Sequence, residues 1–123
     1  MRILARMRTV GLLALLLAAG CQDHTTGIQT ICNAPRDCAQ CQNVEPALRD
    51  QAIAKHIERS VRNDEARALV EKLAKVDDAQ RAKLLEDAAE KAGLSGCILA
   101  DRYKARHEAW EAHQKGEDKA PPP

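Results

Sequence analysis

Five cysteines carry the residue types in this chain that could most readily do chemistry. Two of them form a C-x-x-C run, Cys38-Ala39-Gln40-Cys41, with Cys32 just before it and Cys97 far downstream. Three chemistries fit such a set. A C-x-x-C at a helix N-terminus can exchange thiols and disulfides, because the helix end lowers the thiolate pKa. Four thiolates can close a tetrahedral zinc site. Four cysteines can also pair as two structural disulfides, the ordinary reading of an even count in a short exported chain.

The pattern favours disulfides. Zinc sites of this kind show two close cysteine pairs, and here the second pair is missing. The run is not thioredoxin-like: no Trp precedes Cys38, neither Gly-Pro nor Pro-His stands between the cysteines, and no strands flank it. Haem attachment would need a histidine where Gln42 stands. Pairing Cys32 with Cys97 would close a loop of about 65 residues and remove roughly 4 kcal/mol of unfolded-chain entropy. Cys38 and Cys41 could pair locally if Pro35 starts a helical turn. The other pattern, Cys38 or Cys41 with Cys97 and the remaining two together, stays open at this level.

No other group of residues assembles a reaction centre. His107 and Glu111 stand four apart and fit a helix-surface pair, as do Glu71 and Lys75. Ser60 and Ser95 fall at helix boundaries, where they read as caps or turn residues. There is no nucleophile elbow, phosphate loop or metalloprotease helix. The expectation is a non-enzyme without metal, cofactor or identifiable small-molecule substrate. Tyr103 and Trp110, the only two aromatics, are either the end of the core or anchors for a partner, since large rings near a chain end make interface hot spots.

These residues must be held by helices. Pro46 suits a first helical position, and Ile53, Ile57 and Val61 follow at four-residue steps with Ala54 alongside. Asn63 fits an N-cap, with Asp64 and Glu65 in the first turn, where the helix dipole favours acids. Ala66, Leu69, Val70 and Leu73 recur at the spacing of a buried face. Asp77 fits a third N-cap, with Gln80 three residues on. Leu84, Leu85, Ala88, Ala89 and Ala92 form the apolar side of that helix, and Gly93 with Leu94 fits a Schellman ending. A fourth helix is expected from about Cys97 to His113, with Leu99, Tyr103 and Trp110 on one side and Ala105, Ala109 and Ala112 beside them. Nothing alternates with period two for long enough to make a strand. The fold expected is all-α, a small bundle of about four short helices. Its core has no Phe, so aliphatic side chains fill it and covalent staples suit it.

The fifth cysteine has a different setting. Arg2, Arg6 and Arg8 precede an apolar run, Val10 to Gly20. Crossing a hydrocarbon core takes roughly 20 residues of helix, and this run has about eleven, the length of the central segment of a secretory signal peptide. Leu17-Ala18-Ala19-Gly20 then leads to Cys21. This start resembles the signal peptide of a bacterial lipoprotein, although Leu17 sits four residues before the cysteine where three is usual. The resemblance implies cleavage before Cys21 and acylation of Cys21 with a diacylglycerol and an amide-linked chain such as palmitate. At about 0.8 kcal/mol per buried methylene, several such chains hold a soluble domain on a membrane. Gln22 follows, not Asp, and in the better-known sorting system that leans toward the outer membrane.

Without the three leader arginines the balance is sixteen basic to eighteen acidic residues. That lacks the positive field nucleic-acid binding requires, so nucleic acid is set aside as a partner. The expected organisation is a signal peptide over 1–20, a lipidated tether over 21–31, a helical domain over 32–114 and a disordered tail over 115–123. Gln22 to Ile31 has no helical periodicity; extended, it would lift the domain by up to about 35 Å. The function expected is a membrane-anchored lipoprotein with a non-enzymatic binding or structural module, facing the periplasm from the outer membrane. Its partners would be membrane lipid and an envelope protein. The alternative is a thiol–disulfide exchange partner using Cys38 and Cys41.

Overall fold

The computed structural model describes residues 22–116; the expected signal peptide, Cys21 and the final residues 117–123 lie outside the described residues. Among the described residues five α-helices follow one another: α1 (His24–Asp37), α2 (Pro46–Ser60), α3 (Asp64–Leu73), α4 (Asp78–Lys91) and α5 (Ile98–Gln114). A short 3-10 turn, Gln40–Gln42, joins α1 to α2, and no strand occurs among the described residues. The fold is the expected all-α bundle.

The first helix corrects the expected tether. Residues 24–37 are helical, and α1 touches each of the other four helices. Asp23 starts it: its side chain accepts a hydrogen bond from the Thr26 amide at 2.6 Å, satisfying one of the orphan donors of a first turn. Ile28, Ile31, Cys32 and Ala34 are fully buried, so this segment is the middle of the core. The helical domain therefore begins about ten residues earlier than 32. Thr25, Thr26 and Gly27 have low helix propensity and gave the stretch the look of a linker, but tertiary burial outweighs propensity. Pro35 likewise does not open a new turn; it lies inside the end of α1.

The other helices stand where their caps put them. Asn63 accepts from the Ala66 amide at 3.1 Å and Asp77 from the Gln80 amide at 2.9 Å. Gly93 has φ 76°, in the left-handed region that glycine enters without steric cost. The Leu94 amide reaches back to the Ala89 carbonyl at 2.9 Å and the Gly93 amide to that of Glu90 at 3.0 Å. Those two bonds are the Schellman pair.

Ile53, Ile57, Val61, Leu73, Leu85 and Leu99 join α1 in one buried cluster, with Leu69, Val70, Leu84 and Tyr103 packed on its edge. The expected core stripe of α5 is shorter than its spacing suggests. Only Leu99 and Ala100 of that helix are buried, Tyr103 is half-buried, and Trp110 is 52% exposed.

Candidate functional site

The cysteines pair as the loop argument favoured. Cys32, on α1, is bonded to Cys97, the residue that begins α5, with Cα atoms 4.6 Å apart. Cys38 is bonded to Cys41 across 5.3 Å. The other pairing pattern is thereby ruled out, and no thiolates remain among these four for zinc. Among the described residues no three His, Cys, Asp or Glu side chains gather as a metal would need.

The C-x-x-C bond closes a turn at the end of α1. The Cys38 amide donates to the Ala34 carbonyl at 3.0 Å, and the Cys41 amide donates to the Cys38 sulfur at 3.2 Å. Two side chains clamp the turn from outside: Arg49 Nε donates to the Cys41 carbonyl at 3.1 Å, and Gln42 Nε2 donates to that of Pro35 at 2.7 Å. Cys41 is fully buried and Cys38 is 3% exposed. Exchange needs a thiolate to approach a sulfur directly, and this packing leaves little room for one.

A cleft opens between α2, α3, α4 and α5. Its volume is about 250 Å³. Ile53, Ile57, Leu73 and Leu99, all buried, make its floor, and Tyr103, Asp50 and Arg106 stand in its wall. Arg106 grips Asp78 with two bonds, Nε and Nη2 each at 2.7 Å. It also bonds Asp50, which accepts from Arg102 Nε at 2.8 Å. Arg81 donates to Asp78 at 2.9 Å and to the Leu73 carbonyl at 2.7 Å. The guanidinium carbons of Arg81 and Arg106 lie 5.5 Å and 5.2 Å from the centre of the Tyr103 ring, within cation–π range.

This network sets its own protonation. The hydrogen bond from Arg106 is the main reason the Asp78 carboxyl is held below the usual carboxylate range, with Arg81 adding to it against partial desolvation. The same bond raises Arg106, whose guanidinium is charged at every relevant pH. Burial pushes the Tyr103 phenol up, so it stays protonated near neutrality. The cleft can accept an apolar group over its floor; Asp50 and Asp78 in its wall are engaged by Arg81, Arg102 and Arg106.

The two aromatic candidates end on neighbouring sites. Tyr103 lines the cleft, and Trp110 lines a second, more open groove of about 480 Å³ that shares Arg81 and Arg106 with the first. His107 Nε2 meets Glu111 at 2.8 Å, as the spacing predicted. Asp50, Asp78, Arg81, Arg102 and Arg106 escaped sequence reasoning. For three of them the sequence holds a weak hint. Neither Arg102 nor Arg106 has an acid three or four residues away on its own helix, and Asp50 has no base so placed. Arg102, Arg106 and Asp50 thus lack an i,i+3 or i,i+4 partner, and they pair across helices instead.

No protein-family model, curated protein or solved structure matches this chain.

Proposed function

We propose that this protein is a lipoprotein whose exported part is a small, disulfide-stapled helical module that binds or braces other components of the cell envelope without catalysing a reaction. One observation carries the reading. Four cysteines close into two buried disulfides, which persist in oxidising compartments, while the fifth directly follows an arginine-led apolar run. That cysteine, Cys21, is the residue acylated. No described helix is long and apolar enough to cross a membrane, and in this reading the acyl chains make the attachment. Gln22 in second place supports the outer membrane, with the domain facing the periplasm. The burial of Cys38 and Cys41 favours a staple over thiol exchange. Tyr103 and Trp110, on adjoining grooves, are the candidate contacts for an envelope protein.

The test is metabolic labelling with an alkyne-tagged fatty acid, followed by membrane fractionation. The wild type should carry the label and sediment with the outer membrane. Cys21→Ser should carry none and appear in the soluble fraction. Equal sedimentation of both, without label, would refute the anchor.

A further inference from the structure

An acylated Cys21 would leave no chain between the anchor and the folded body. Gln22, the next residue, is already fastened. Its side-chain oxygen accepts from the Arg62 amide at 2.7 Å and the Asn63 amide at 3.1 Å. Its side-chain nitrogen donates to the Ser60 carbonyl at 3.2 Å, and its own carbonyl accepts from Asn63 Nδ2 at 3.2 Å. Asp23 then caps α1. Consecutive Cα atoms are about 3.8 Å apart, so an anchor at Cys21 would be one peptide unit from this four-bonded residue.

Resting on the lipoprotein reading, we infer that the domain sits directly on the bilayer, with the start of α1 and the α2–α3 turn against the phospholipid headgroups. The occupant of this face is the lipid surface of the membrane that holds Cys21. A thioether-linked diacylglycerol places its glycerol at headgroup depth, and the Cys21 backbone must follow it there. Gln22 then fixes the Ser60–Asn63 turn beside the anchor. The exposed charges around it are mixed, Arg62 against Asp23, Asp64 and Glu65. This is not a polybasic patch of the kind that binds anionic lipid and releases in salt. The seat is therefore set by the acyl chains and the four Gln22 bonds, not by attraction to anionic lipid. The consequence is orientation: the body is presented to its partner at one fixed height and tilt.

The mature protein, extracted from membranes and verified as acylated by mass, is placed in supported bilayers and measured by neutron reflectometry. One bilayer is phosphatidylcholine alone, and the other contains added phosphatidylglycerol. A variant with a ten-residue Gly/Ser insert between Cys21 and Gln22 provides the tethered comparison and leaves the bundle intact. The expected result is a wild-type protein layer touching the headgroups without a water gap, unchanged between lipids and in high salt. The insert variant should show a hydrated gap, up to about 35 Å if extended. An acylated wild type with the same gap as the insert variant would overturn the seat and leave the lipoprotein reading standing. A protein without acyl mass would overturn both.

Discussion

Gly27 on α1 and Ala66 on α3 pack so closely that a Cβ added at Gly27 would lie 2.7 Å from the Ala66 Cβ. Both residues are buried. The missing side chain is what lets α1 enter the middle of the bundle. A glycine inside a helix costs roughly 0.5–1 kcal/mol relative to alanine, and here close approach of two helices offsets that cost. Gly27→Ala should therefore destabilise the protein despite its better helix propensity, by about 1–3 kcal/mol, the range for overpacking a core. Ala66→Gly placed in the same chain should recover part of the loss. Urea melts of the two single variants and the double give the coupling. A neutral or stabilised Gly27→Ala would contradict the packing.

The two disulfides should differ in worth. Cys32–Cys97 spans 65 residues and Cys38–Cys41 spans three. The chain-entropy relation gives about 4 kcal/mol for the first and about 2 kcal/mol for the second. Replacing Cys32 and Cys97 together by Ser should cost more stability than replacing Cys38 and Cys41 together. Chemical denaturation of both pairs decides it, and the reverse order would count against the entropic account.

Asp78 should contribute to the acid limb of the stability curve. Its carboxyl is held low mainly by the Arg106 hydrogen bond, and the side chain is 21% exposed. A depressed folded pKa means the unfolded chain binds the proton more readily. The contribution is fully present above the unfolded value, near 4, and fades as pH falls through the lower folded value. Asp78→Asn should be less stable at pH 7 and should flatten the pH dependence below pH 4. Carboxyl titration by NMR should place Asp78 below the ordinary aspartate value; a normal value would mean the pair is not formed.

Trp110 and Leu85 mark the two ends of the burial scale. Leu85 is fully buried and Trp110 is 52% exposed. Leu85→Ala should cost about 2–5 kcal/mol, whereas Trp110→Ala should change stability by about 0.5 kcal/mol or less. Thermal melts compare them. A large loss at Trp110 would place it in the core and remove it as a partner contact.

Four of the five helices were legible in the sequence for physical reasons. Asn63, Asp77 and Gly93 are local signals, acting on backbone groups within a few residues of themselves, and the α2 to α4 apolar stripes repeat at helical spacing. The α1 helix was not legible as a whole, because Thr25, Thr26 and Gly27 read as linker while Gly27 earns its place only against Ala66, far along the chain. Its cap, Asp23, and its buried Ile28 and Ile31 lie in a stretch that read as a tether without helical periodicity. The Cys32–Cys97 pairing was favoured by loop length but needed the fold to decide it. The Arg106 network was missed because its partners, Asp50 and Asp78, come from two other helices, and no local rule links them. Trp110 shared a helix side with Leu99 and Tyr103, yet no described helix covers that end of α5, and the ring is 52% exposed.

Intact mass of the membrane-extracted protein, measured before and after reduction, tests the central claim most directly. The account predicts a chain that begins at Cys21, carries the added mass of its acyl chains, and gains the hydrogens of two opened disulfides on reduction. An unmodified chain that still begins at Met1, or one whose mass is unchanged by reduction, would contradict it.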